Sequence, residues 1–259
     1  MNRTLIKISG IDAESFLQNL ITNDIKTENQ AIYSCLLSPR GKYQFDFFVI
    51  KIENYFLIDI AESQAQKFLD ALKYRKLIAK VNFEILKNYH VYNTAVKITD
   101  SLVSFQDTRL SILGFRTIAQ NSPSAENILF NYEELRYKNA VPESDDFNFD
   151  KSIPIEFGMD ELGALSYSKG CYLGQEFTNS AKNKLAIRKR VISIYADFSL
   201  FKDEIITTKN GTQAGRVIAA RENLALALFS MSFMSEDIFI NKRAVKKHIP
   251  KWIKIYSLD

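Results

Sequence analysis

Hydrophobic positions along the chain change period several times, and each change predicts an element. A patterned apolar stretch at 4–9 reads as a strand. Asp12 then stands as an N-cap for a helix over about 13–21, with Phe16, Leu17 and Leu20 on one face. Residues 31–37 read as a strand, and Ser38-Pro39-Arg40-Gly41 as a turn, because Pro presets φ and Gly tolerates the left-handed corner. Strands at 43–51 and 55–60 flank the turn at Glu53-Asn54. Ala65, Phe68, Leu69 and Leu72 recur at helical spacing and predict a helix over about 62–75.

Strands are expected again at 81–86 and 90–97, with shorter ones near 102–105, 109–113 and 115–119. Ser124 caps an expected helix over about 125–138, with Ile128, Leu129, Tyr132 and Leu135 inside. Residues 140–155 are polar and acidic, bounded by Pro142 and Pro154, and read as a long connecting loop. Beyond about 187 the pattern is all β: 188–198, then an Asn210-Gly211 hairpin signal, then 213–220, 224–229, 238–240 and 252–255. The expectation is an α+β module over 1–187 and a C-terminal β-barrel-like domain over 188–259.

Composition narrows the function classes. Apolar residues make up 46% and charged residues 25% of 259 residues, an ordinary globular balance. No apolar run approaches the roughly 20 residues of a membrane span. Met1-Asn2-Arg3-Thr4 leads straight into the first strand without a signal-type apolar region, which leads us to expect a cytoplasmic or similarly reducing setting and no membrane partner. The two cysteines, Cys35 and Cys171, lie far apart, and only two histidines are present, which argues against a disulfide framework and a His-rich metal site. The net charge is +4, with late clusters at Lys182, Lys184, Arg188, Lys189, Arg190 and at Lys242, Arg243, Lys246, Lys247. Such a field attracts an anionic ligand or RNA, or is simply a solvated surface.

One segment concentrates chemistry: Lys169-Gly170-Cys171-Tyr172-Leu173-Gly174-Gln175-Glu176. Glycines here permit unusual dihedrals and close backbone approach. A cysteine beside Lys169 and near an expected helix start should have a lowered thiol pKa and be reactive; the alternative is a buried structural cysteine in a glycine-rich turn.

The octapeptide resembles the signature of the YgfZ-type folate-binding proteins, relatives of the glycine-cleavage T-protein and of the mitochondrial iron–sulfur assembly factor of the same family. Further stretches agree in order: Gly10-Ile11-Asp12-Ala13 with Phe16-Leu17-Gln18 and Thr22-Asn23-Asp24; Leu36 to Lys42; Leu135-Arg136-Tyr137 running to Pro142; and Pro154-Ile155-Glu156. The pattern departs from the family at Ser180, where an arginine is usual, at Leu185, where a glycine is expected, and at Ala140, where a glycine is common.

The resemblance implies a T-protein-like three-lobed ring: two interleaved α+β lobes and the C-terminal β domain around a central opening. It implies tetrahydrofolate or another reduced folate as ligand. Asn23, Asp24, Arg40, Glu156, Tyr172, Gln175 and Glu176 are the candidate contacts, and Cys171 with Lys169 the functional thiol and its neighbour. The implied role is support of the assembly or repair of iron–sulfur enzymes, including tRNA-modifying ones, with iron–sulfur proteins or assembly factors as partners and nucleic acid involved only indirectly. A folate-dependent aminomethyltransferase and an RNA-binding module stay open as alternatives, so enzymatic turnover is undecided.

Overall fold

The computed structural model describes residues 2–178 and 187–254. Its first unit is an antiparallel sheet of β1 (Arg3–Ser9), β2 (Ala31–Leu37), β3 (Tyr43–Ile52), β4 (Tyr55–Ala61) and β5 (Asn82–Ile85), in the order β2-β3-β4-β1-β5. Helices α1 (Ala13–Leu20) and α2 (Glu62–Lys76) cover one face. There Phe16 and Leu17 of α1 and Phe68 and Leu72 of α2 join Ile32, Leu36, Phe47, Ile58 and Ile60 of the sheet in one core. Tyr33, Cys35, Phe48, Ile50 and Leu57 point to the opposite face and enter a second core. Both faces are therefore dry, which explains why β2 reads as an unbroken run rather than an alternating one. Burying a ring such as Phe68 contributes about 1.5–3 kcal/mol.

The second core is shared with a three-stranded sheet of β6 (His90–Thr94), β7 (Val103–Gln106) and β8 (Phe115–Ala119), ordered β6-β8-β7, and with α3 (Tyr132–Lys138). It continues into a closed barrel of β9 (Lys189–Tyr195), β10 (Ile205–Thr208), β11 (Gln213–Arg221), β12 (Leu224–Ser230), β13 (Ile238–Ile240) and β14 (Arg243–His248). Closure leaves no strand edge unpaired. Gly211 at φ +81° makes the expected hairpin turn between β10 and β11.

A buried ionic seam ties the two sheets together. Arg116 on β8 reaches Asp59 on β4 at 2.7 Å, Glu143 at 3.2 Å and Asp107 at 3.3 Å. Arg109 holds Asp107 at 2.7 Å and Glu143 at 2.8 Å, and Arg3 holds the other oxygen of Asp59 at 2.6 Å. The Tyr132 hydroxyl donates to Glu143 and accepts from both guanidinium groups. Burial alone would raise the Glu143 carboxyl, but Arg109, Arg136 and Arg116 overcome it and hold the group well below the usual range. The barrel is fastened in the same way. Arg190 of β9 is buried and donates to the Ile155 carbonyl, to Asp160 at 3.1 Å and to Glu161 at 3.3 Å.

Four local expectations are corrected. Asp12 sits at the N-cap of α1, but its carboxylate accepts the Lys80 amide at 2.7 Å instead of capping the helix. The expected strand at 109–113 is a turn of 3-10 helix at Ser111–Leu113 following the buried Arg109. The expected helix over 125–138 is split, because Ile128 bridges to Thr94 and the Leu129 amide donates to the Asn93 carbonyl; only Tyr132–Lys138 is α-helical. The last barrel strand is β14, and 252–254 form no strand, residue 255 lying outside the described residues; Trp252 donates to the Asn139 carbonyl at 2.8 Å, and its ring occupies the space beside Gly158. Ala140 is fully buried at φ +52°. A left-handed alanine costs roughly 1–2 kcal/mol.

Candidate functional site

The octapeptide is pinned to the first sheet from both ends. At its start, Lys169 lies buried with its ammonium under the C-terminus of α1. It donates to the carbonyls of Gln18 (2.6 Å), Ile21 (2.6 Å) and Asn23 (3.0 Å). Helix C-termini leave such carbonyls without intrahelical partners. Burial pushes the amine down to about 8, with Asp24 opposing, so at neutral pH it keeps three protons for three acceptors. Lys169 is thus a structural clamp, and its charge is not free for a ligand carboxylate.

At the other end the chain packs against the turn of residues 38–41. Gly174 is at φ +83°, and a Cβ there would stand 2.6 Å from the Ser38 carbonyl. Gly41 is at φ +68°, and a Cβ there would stand 2.5 Å from Cβ of Phe177. The two glycines face each other and allow the backbones to touch. Two stretches that are distant in sequence, the 38–41 turn and the octapeptide, therefore form one surface. Between the pins, the Tyr172 ring is buried beneath Lys169, and its hydroxyl shares a 2.9 Å hydrogen bond with Thr178. Thr178 in turn donates to the Gln175 carbonyl at 2.8 Å, at the start of the helical residues 175–178.

Cys171 is left exposed by this arrangement. Among the described residues nothing lies within 4 Å of where a Cβ on Gly170 would stand. Arg40 and Glu176 are exposed on the same joined surface, with Phe177 exposed beside Glu176; Gln175 is half-buried. The other thiol, Cys35, is sealed within β2 with its sulfur 3.4 Å from that of Met159. Burial, and then Asp46, pushes its pKa well up. Ser180, Lys182, Lys184 and Leu185 lie outside the described residues.

The remaining candidates part company. Asn23 is committed to the fold: its side chain donates to the carbonyls of Tyr33 and Gly163 and accepts from the Asp24 amide. Asp24 accepts from Gln18 and from the Lys26 amide, so it closes a turn. Glu156 lies elsewhere, in a cleft of about 560 Å³ between the 148–157 segment and barrel strands β11 and β12. Burial raises its carboxyl, countered by Lys189 and Lys42. Lys151, Lys189 and Arg216 line the same cleft, with Phe157 as an apolar wall.

That cleft was not foreseen from the sequence, and neither was the ionic seam. Both draw residues from distant segments, and the local signal was an arginine in a mainly apolar run at 109–113. Among the described residues no three His, Cys, Asp or Glu side chains converge to hold a metal ion.

Comparison with known proteins now fits this geometry. Residues 2–99 match the GCVT N-terminal domain, and residues 188–255 match the CAF17 C-terminal beta-barrel domain. The chain thus joins a GCVT-type domain to a CAF17-type barrel. Its overall fold is that of the aminomethyltransferase T of the glycine cleavage system from Bartonella henselae, with a TM-score of 0.70, 13% identity, and coverage of 98% of this chain and 84% of that one. The T-protein-like α+β architecture with a C-terminal barrel stands as expected.

Curated relatives are named iron–sulfur cluster assembly factor IBA57 or its homolog, mitochondrial. The one from Coccidioides immitis is 28% identical over 75% of this chain and 55% of its own length. The human one is 24% identical over 96% of this chain and 83% of its own length. The chain therefore spans little more than half of the Coccidioides relative. The cytoplasmic setting expected from the sequence is overturned, since the named relatives are mitochondrial proteins.

Proposed function

We propose that this chain is an iron–sulfur cluster assembly or repair factor that works through the Cys171 thiol and binds a reduced folate. The observation that carries the reading is the posture of Cys171. Two glycine contacts and a buried lysine fix the loop, yet the sulfur itself is left open. A fold that only needed a small side chain would not hold its backbone so firmly around an exposed thiol. The names of the IBA57 relatives support the same assignment, and the octapeptide keeps the narrower YgfZ-type reading in view.

One thiol cannot retain a cluster alone, so any cluster contact is transient or shared with the client protein. The clients are iron–sulfur enzymes, among them those that modify tRNA. Folate fits the cleft at Glu156. A pterin presents donors that a carboxylate can pair, Phe157 offers an apolar wall, and Lys151, Lys189 and Arg216 suit the anionic glutamate tail. The volume lies in the range of small-molecule sites. Asn23 and Lys169 take no part, because their side chains already serve the fold, and Asp24 is held in its turn through one carboxylate oxygen.

The test is a titration of the purified protein with tetrahydrofolate, repeated with Glu156→Gln and after alkylation of Cys171. Saturable binding weakened about tenfold by Glu156→Gln, the size of one charge-assisted hydrogen bond, is the expected result. Absence of binding, or binding indifferent to position 156, removes the folate assignment and leaves the thiol role to be judged separately.

A further inference from the structure

The end of α2 carries the most exposed apolar group among the described residues. Tyr74 is 84% exposed, Leu77 87% and Ile78 98%, and the Gly10–Asp12 turn, tied to this segment by the Lys80 amide on Asp12, adds Ile11 at 86%. Single exposed aliphatic side chains are ordinary, but four gathered at one end of a domain are not. The backbone arranges the display. Leu77 terminates α2 at φ +46° and ψ −116°, a conformation that leucine seldom adopts, and the chain turns there before Ala79 and Val81 return it to the sheet. None of these four side chains lines the clefts described above.

The tip segment itself is basic, and the acid beside it is Asp12, whose carboxylate accepts the Lys80 amide. Residues 73–80 read Lys-Tyr-Arg-Lys-Leu-Ile-Ala-Lys, with four cations and no acid. Arg75 is turned inward, where it donates to the Ala71 carbonyl and to Gln44; Lys73 and Lys80 are exposed and Lys76 half-buried. A tyrosine, a pair of aliphatic side chains and a collar of lysines form the combination that settles at the interface of a bilayer. The aliphatic groups enter the acyl boundary, the ring sits at headgroup level, and the ammonium groups meet anionic lipid.

We propose that the Tyr74–Lys80 tip, with Ile11, is a peripheral attachment site for an anionic membrane surface. Attachment is weak and reversible, since a few side chains and three lysines give far less hold than a spanning helix. The absence of a helix long enough to cross a membrane does not bear on such surface attachment.

The test is co-sedimentation of the full chain with vesicles of phosphatidylcholine, with and without about one-third phosphatidylglycerol. Wild type should sediment with the anionic vesicles and not with the neutral ones. Leu77→Asp/Ile78→Asp should lower the bound fraction roughly tenfold with an unchanged circular dichroism spectrum, and a Lys73→Gln/Lys76→Gln/Lys80→Gln variant should lose the lipid-charge dependence. Failure of wild type to bind anionic vesicles overturns the proposal, as does binding that the aspartates leave intact. Loss of association with a purified protein on introducing the aspartates, without any vesicle binding, would reassign the tip to a protein partner and overturn it equally.

Discussion

The ionic seam and the octapeptide loop handle polar groups in opposite ways. In the seam, Arg3, Arg109 and Arg116 meet Asp59, Asp107 and Glu143 with the Tyr132 hydroxyl between them, and every one of these groups is spoken for. In the loop, Lys169, Tyr172 and Thr178 are spoken for in the same manner, yet the residue they surround, Cys171, is open to solvent. The protein's two thiols divide along this line, with Cys35 sealed against Met159 and Cys171 displayed. The groups of the seam and of the loop's frame have partners, and Cys171, left open within that frame, is the group available for chemistry. Asn23 and Asp24 sit near that frame, but their bonds place them with the seam in kind.

Breaking the seam should give the largest effect. Arg116→Met leaves Asp59 and Glu143 buried with fewer partners, and we expect a loss of about 3–5 kcal/mol in denaturant unfolding. A loss under 1 kcal/mol would mean that the seam is not the structural tie between the two sheets.

The glycines sharpen the comparison inside the loop itself. Gly174→Ala forces a left-handed alanine and drives a Cβ to within 2.6 Å of the Ser38 carbonyl. It should cost about 2 kcal/mol or more, and it should detach the octapeptide from the 38–41 turn. Gly170→Ala meets nothing among the described residues and should change stability by less than about 0.5 kcal/mol. If both variants unfold at the same denaturant concentration, the docking of loop on turn is wrong.

Much of the fold was legible from periodicity. The helices α1 and α2 and strands β2 to β4 carry long apolar patterns that tertiary contacts reinforce rather than contest. The failures have a common cause, which is a non-local partner. Ile128 was captured by Thr94, Asp12 by Lys80, and the 109–113 run by the carboxylates around Arg109. Strand β14 escaped notice because Val245 is its one well-buried residue; its Arg and Lys neighbours look like surface, and barrel closure makes the strand.

The candidate site divides in the same way. Cys171 was visible in the octapeptide. The face-to-face packing of Gly41 and Gly174 was not, because it depends on a contact between segments more than a hundred residues apart, and spacing within one segment carries no information about it.

The central claim is that Cys171, and not Cys35, is the working thiol. The most direct measurement is the activity of iron–sulfur enzymes in cells whose own assembly factor has been replaced by this chain, carrying either Cys171→Ser or Cys35→Ala at matched protein levels. The account predicts that Cys171→Ser abolishes the support given by the unaltered chain while Cys35→Ala retains it. Full support from the Cys171→Ser chain would contradict it.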